Sequence, residues 1–243
     1  MALHISKDPV ELSHSLATWI TNYIEEVLVN HQRFTWALSG GNTPKLLYET
    51  LSQPSYAANI LWERVHIFFG DERYVPFNDE LNNGRMAFDS LLKHVPVPYE
   101  QIHFMRTDMD VETSAITYEK LLHHYFDGKQ NSFDLVLLGM GEDGHTLSLF
   151  PHSQVKTEPD SWVKSIYFPE QKMQRITLTP SIVNRAKRIS FLVSGKNKAV
   201  TLKNVLNGKP DPEKFPAQLI RPESGEIHWF VDEAAASQLD QTF

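Results

Sequence analysis

The sequence predicts an α/β fold, doubly wound, with a mainly parallel sheet covered by helices on both faces. Two observations carry this. Short apolar runs of strand length alternate with amphipathic helical stretches along almost the whole chain. The runs are also nearly continuous in apolar residues, as expected of parallel strands buried on both sides by crossover helices.

In order, Leu12, Leu16, Trp19, Ile20, Tyr23, Ile24, Val27 and Leu28 recur at three- and four-residue steps and lie on one face of a long helix. The run Phe34 to Leu38 is a strand, ended by Ser39-Gly40-Gly41-Asn42-Thr43-Pro44; Leu46, Leu47 and Leu51 then resume helical spacing. The same rhythm gives a strand at Val65 to Phe69, the polar Gly70-Asp71-Glu72-Arg73 and a helix around Met86 to Leu92. There follow a strand near Ile102 to Met105, a helix from about Glu112 to Tyr125 and a strand at Phe133 to Leu138. Further strands are expected at Arg175 to Leu178, Ile189 to Val193 and Glu226 to Val231, each followed by a helix. His152 to Lys172 and the Pro-rich Lys209 to Pro222 read as surface excursions. With no repeat or low-complexity linker, residues 1–243 are expected to form a single domain.

Composition narrows the function. The apolar fraction of 41% suffices for a substantial core, and the absence of Cys removes disulfides, thiolate metal sites and Cys nucleophiles. Neither a signal peptide nor a run of about 18 apolar residues is evident, so a soluble, cytoplasmic protein without a membrane span is expected. A net charge of -7 argues against a nucleic-acid partner, which calls for a basic face. An anionic ligand would have to be small and held by a few local cations.

In open α/β sheets ligands bind beyond the carboxyl ends of the strands, which singles out three segments. In Ser39 to Pro44, Gly40 and Gly41 let a ligand approach the backbone, Thr43 can cap the helix and Pro44 suits its first turn; the loop could cradle a phosphate or be a plain strand-to-helix turn. In Gly70 to Arg73 at least one of Asp71, Glu72 and Arg73 should face the crevice; an exposed ion-pair cluster is the competing reading. The third, Gly139-Met140-Gly141-Glu142-Asp143-Gly144-His145, has three glycines in six positions and leads into a short helix suggested by Thr146, Leu147, Leu149 and Phe150. Such a loop can aim N–H groups at one point beside an imidazole, as acyl-group hydrolysis requires. Most of the chain's 11 His residues are expected to do no chemistry.

Other chemistries lack their patterns. There is no Gly-x-Ser-x-Gly elbow, no His-Glu-x-x-His helix and no dinucleotide Gly-x-Gly-x-x-Gly, so neither a Ser nucleophile, a metal nor a nucleotide cofactor is inferred. Arg185, Lys187 and Arg188 read as cations closing a helix rather than a nucleic-acid patch.

Taken together, Leu38-Ser39-Gly40-Gly41-Asn42-Thr43-Pro44, Gly70-Asp71-Glu72-Arg73-Tyr74-Val75-Pro76 and Gly139 to Thr146 resemble the 6-phosphogluconolactonase family. So do Arg175-Ile176-Thr177-Leu178-Thr179, Gly195-Lys196-Asn197-Lys198 and Trp229 to Ala235, in the same order. The resemblance implies a Rossmann-like fold shared with sugar-phosphate isomerases, a phosphorylated sugar lactone as substrate and no cofactor. It places the catalytic base on His145, substrate-gripping cations on Arg73, Arg175 and Lys196, and the glycine loop on Gly40 and Gly41. Three positions depart from the pattern: Asn42 stands where Ser is common, Leu147 where Ala is usual, and Gly84 where an aromatic often precedes Arg.

An ordinary imidazole, with a pKa of about 6.5, is mostly deprotonated at neutral pH and can take a proton from water. The glycine loop before His145 is a candidate for part of the oxyanion hole, and either Asp143 or Asp71 for orienting the ring. Two alternatives compete: a glucosamine-6-phosphate deaminase, which shares the Asp-Gly-His loop but continues through Asn-Glu-Pro where this chain has Ser148-Leu149-Phe150-Pro151, and a non-catalytic sugar-phosphate binding module.

Overall fold

The structure is a computed structural model that describes residues 1–153, 161–222 and 224–240. Its centre is a six-stranded sheet in the order β1-β9-β8-β5-β2-β3, parallel throughout. The strands are β1 (Ala2–Ser6), β2 (Phe34–Leu38), β3 (Val65–Phe69), β5 (Leu135–Leu138), β8 (Arg188–Val193) and β9 (Glu226–Asp232). Every residue of β2 and β5 is buried, which is why these strands read as unbroken apolar runs.

Helix α1 (Pro9–Asn30) begins where the Asp8 carboxylate accepts from the backbone N–H of Val10 and Glu11, with Pro9 in its first turn. Its buried face carries Leu12, Leu16, Ile20, Tyr23, Ile24, Val27 and Leu28. Next come α2 (Asn42–Leu51), α3 (Pro54–Ala57), α4 (Asn83–Ala87), which runs on as a π-helical turn to Leu92, and α5 (Val111–Phe126). The last three are α6 (Pro180–Val183), α7 (Ala199–Leu206) and α8 (Glu233–Ala236). None of the helices among the described residues is long and apolar enough to cross a membrane.

A second, antiparallel sheet has the order β4-β7-β6, built from β4 (Asp71–Arg73), β6 (Val163–Phe168) and β7 (Met173–Leu178). Gly70 joins the two sheets: its N–H donates to Leu38 O at 2.8 Å and its carbonyl accepts from Leu178 N at 2.8 Å. The strand expected at Arg175 to Leu178 thus exists but lies outside the parallel sheet. Asp71 to Arg73, expected as a loop, is a strand, and β6 falls inside the stretch read as a surface excursion. Residues 154–160 of that stretch lie outside the described residues.

Three other expectations change. Ile102 to Met105 is not a strand, because it meets β3 only at the single bridge Ile67 to Ile102. The segment after His145 is not helical: Leu147 has φ 56°, and Thr146 and Leu149 form an antiparallel bridge. Polar anchors hold it there, with Thr146 Oγ1 donating to Gly139 O at 2.8 Å and Ser148 N–H to Thr177 Oγ1 at 3.2 Å. Finally, part of Lys209 to Pro222 is buried, and the N–H of Ala217 donates to Gly144 O at 2.9 Å, so this segment braces the loop that carries His145.

A tyrosine links two histidines at the β3 edge. The Tyr125 hydroxyl lies 2.9 Å from both His66 Nδ1 and His103 Nε2. Burial, then the neighbouring His66 and Arg33, pulls the His103 imidazole down to about 4 from its usual 6.5. An unfolded chain therefore binds more protons than the folded one between those values, so the contribution of His103 is present above pH 6.5 and lost as pH falls towards 4. Thermal melts should show Tm falling over that interval, less steeply in His103→Gln than in the wild type.

Candidate active site

The loops that leave β2, β3, β5 and β8 converge at the carboxyl end of the parallel sheet. From β2 the chain passes to β3 on one side, while β5, β8, β9 and β1 extend on the other, so strand order reverses between β2 and β5. Neighbouring crossovers diverge at such a switch point and leave a crevice. There a cavity of about 280 Å³ is lined by residues that include Gly40, Thr43, Arg73, His145, Arg175 and Lys198.

His145 is fixed from two sides. Its Nδ1 lies 2.6 Å from Asp143 Oδ1, and the same oxygen accepts the His145 backbone N–H at 3.1 Å. A carboxylate only accepts, so the proton sits on Nδ1 and the lone pair on Nε2, the arrangement a general base requires. Partial burial pushes the Asp143 carboxyl up, but the hydrogen bonds and charge of His145 prevail and hold it below the usual range. The Phe150 ring packs 4.5 Å from the imidazole, and Phe168 stacks on Phe150 at 3.8 Å.

The glycines make this geometry possible. A Cβ on Gly141 would stand 2.1 Å from His145 Nδ1 and 2.5 Å from Asp143 Oδ1, so the His–Asp pair lies flat against bare backbone. Gly144 has φ 82°, and a Cβ there would stand 2.8 Å from Phe215. The N–H of Gly141 donates to His145 O and that of Gly144 to Gly141 O. These two groups are therefore spent on shaping the loop rather than left as oxyanion donors.

Asp71 does not reach the imidazole. It is buried, accepts from Ser148 Oγ at 2.6 Å and lies 3.7 Å from Arg175 Nη1. Alternation along β4 puts Asp71 and Arg73 on the cavity side. Glu72 points the other way, where its carboxylate accepts the N–H groups of Arg73, Asn83 and Gly84 at the start of α4. Burial pushes the Glu72 carboxyl up to about 8, with those three N–H groups pulling against it. Gly84 has its own reason to lack a side chain: a Cβ would stand 2.9 Å from Phe104 and 3.3 Å from Glu72 Oε2.

In the β4–β7 register Arg73 stands directly opposite Arg175, a like-charge pairing that costs stability unless an anion lies between. Arg73 Nη1 donates to Leu81 O at 2.9 Å, and Arg175 Nη2 to Gln171 Oε1 at 2.6 Å. Both Nε–H groups are buried without a hydrogen-bond partner among the described residues. Arg73→Ala should raise KM about 10- to 100-fold with a smaller change in kcat, since hydrogen bonds to charged groups contribute about 1.5–3 kcal/mol. Steady-state kinetics over a range of substrate concentrations checks this.

The third cation differs from expectation. Lys196 is exposed and outside the cavity lining, whereas Lys198, at the end of the 3-10 turn Lys196–Lys198, is half-buried and lines it. Burial pulls the Lys198 ammonium down, against the upward pull of Glu142 and Asp143.

At the opposite wall, Gly41 (φ 106°) occupies the N-cap of α2, and no side chain caps the helix. Thr43 is thus a residue inside the first turn, not its cap, and the amino end of α2 opens on the cavity. A Cβ on Gly40 would stand 1.9 Å from Asn83 Oδ1, which shows how closely α4 approaches the loop. The Tyr48 hydroxyl fixes the turn by accepting from Ser39 N–H at 3.0 Å and donating to Ser39 O at 2.8 Å. Sequence reasoning overlooked Lys198, Gln171 and Asn83; of these only Lys198 had a signal, its place in the Gly-Lys-Asn-Lys stretch.

A 6-phosphogluconolactonase from Synechocystis sp. is 39% identical over 224 residues, covering 90% of each chain. The 6-phosphogluconolactonase of Haemophilus influenzae is 36% identical over 203 residues, covering 84% of this chain and 86% of its own. The solved 6-phosphogluconolactonase of Trypanosoma brucei superposes with a TM-score of 0.87 over 98% of both chains at 27% identity. The family described as glucosamine-6-phosphate isomerases/6-phosphogluconolactonase matches residues 7–229, and the chain belongs to it.

Proposed function

We propose that this protein hydrolyses 6-phospho-D-glucono-1,5-lactone to 6-phosphogluconate, a step of the oxidative pentose phosphate pathway, and that it does so in the cytoplasm without a cofactor. The observation that carries this reading is the His145–Asp143 pair at 2.6 Å beside a cavity that Arg73, Arg175 and Lys198 also line. The relatives named 6-phosphogluconolactonase support the substrate.

In this reading His145 Nε2 takes a proton from water as the water oxygen attacks the lactone carbonyl carbon. The carbonyl electrons move onto oxygen and return as the bond from carbon to ring oxygen breaks. The imidazolium then gives its proton to that ring oxygen, leaving a carboxylic acid that ionises. Asp143 holds the ring and offsets the transient imidazolium charge. Arg73, Arg175, Lys198 and the open end of α2 share the phosphate and the developing oxyanion between them, the phosphate supplying binding energy remote from the reacting carbon. Asp71 acts through Arg175, which it positions with Ser148.

Freshly generated lactone and glucosamine 6-phosphate, offered in parallel, test this assignment. Acid release from the lactone well above the spontaneous rate, with no ammonia from the amino sugar, supports it. Ammonia release would overturn it in favour of deamination. Tight binding of 6-phosphogluconate with no acceleration of lactone loss would leave only a binding module.

A further inference from the structure

At the opposite, amino-terminal end of the sheet lies a second cavity, of about 620 Å³, bordered by the residues that precede β2, β5 and β8. These three strands are four to six residues long, so at about 3.3 Å per residue some 13 to 20 Å of sheet separates it from the site above. Arg33, Lys129 and Lys187 line it, and among the described residues Asp134 is the one carboxylate in its lining.

That carboxylate is already committed. Asp134 Oδ1 takes Lys187 Nζ at 2.8 Å, and Oδ2 takes both the backbone N–H and the hydroxyl of Thr35 at 2.8 Å. Arg33 has its guanidinium 4.6 Å above the Tyr125 ring and makes no ion pair among the described residues; nor does Lys129. Other cations of this region are tied up: Arg188 pairs with Glu26 and Glu226, and Arg185 donates to Lys129 O at 2.6 Å. Two positive charges are left unmatched in one basin of a chain whose net charge is -7.

We propose that this basin is a second anion site that takes a phosphate dianion, free or as the monoester of a small metabolite, between Arg33 and Lys129. The guanidinium supplies planar paired donors and the ammonium a mobile point charge, the combination suited to a tetrahedral dianion. The like-charge crowding agrees: the ammonium of the exposed Lys129 is pulled down first by partial loss of solvent and then by Arg33, with Asp134 pulling up and Lys187 down. A dianion would relieve that repulsion. Gln130 and Asn131 border the same cavity with amide groups able to meet further oxygens.

Backbone amide NMR of the full chain, titrated with inorganic phosphate and separately with glucose 6-phosphate, tests the proposal. Expected are saturable shifts at Arg33 and residues 129–132, distinct from those at 39–44, with affinity at least about tenfold weaker in Arg33→Gln/Lys129→Gln and unchanged lactone kcat. Tighter binding of the ester identifies a metabolite as the occupant; equal binding identifies free phosphate. Because Arg33 also packs on Tyr125, the single variant Lys129→Gln, at an exposed position, serves as the second test and should weaken binding in the same direction. Linear shifts reproduced by sodium chloride at equal ionic strength, or affinity unaltered in both variants, would overturn it.

Discussion

His145→Ala is expected to lower kcat by about 10²- to 10⁴-fold, the usual worth of general acid–base help, while 6-phosphogluconate still binds with a Kd within about threefold of wild type by calorimetry. The separation follows from the site's layout. The imidazole is held by Asp143 and the Phe150 ring, whereas the groups proposed to hold the phosphate come from β4, β7, α2 and the turn at Lys198. The folded core does not depend on the ring either, because His145 is only partly buried and its backbone carbonyl, which accepts from Gly141 N–H at 2.8 Å, survives the substitution. Tm should therefore stay close to wild type.

Gly141→Ala is expected to cost about 10² in kcat through position alone, since displacing a catalytic group by about 1 Å can cost that much. Adding one methyl group puts carbon 2.1 Å from His145 Nδ1 and 2.5 Å from Asp143 Oδ1, so the pair must shift or separate. The backbone itself accepts alanine, because Gly141 is not among the residues with positive φ. Gly144→Ala is the contrasting case: its φ of 82° strains any side chain, and the added carbon meets Phe215, so lost stability should accompany lost activity. Steady-state kinetics and thermal melts on the two variants distinguish misplaced chemistry from a misfolded loop.

What the sequence revealed follows from how strongly each residue's environment constrains it. β2 and β5 are buried on both faces, so only apolar residues fit and the runs are plain to read. β6 is a sheet-edge strand of intermediate burial, and β4 is three residues of charge whose antiparallel partner, β7, lies about 100 residues further along the chain. Local pattern carries no trace of such a pairing.

The site divides in the same way. Glycines marked the loop before His145 because the His–Asp pair needs bare backbone there, and that need is local. The choice between Asp143 and Asp71 was not, since Asp71 is drawn to Ser148 and Arg175 across the antiparallel sheet. Lys196 and Lys198 share one 3-10 turn after Gly195, whose φ is 103°. Only the orientation of that turn, set by Asp232 accepting the Gly195 N–H at 3.0 Å, decides which lysine faces the cavity.

The most direct test of His145 as the base that activates water is turnover of freshly generated 6-phosphogluconolactone by wild type and His145→Ala at equal protein concentration, each corrected for spontaneous hydrolysis. The wild type should exceed the variant by at least about 10²-fold; a variant that turns over at the wild-type rate would contradict the assignment.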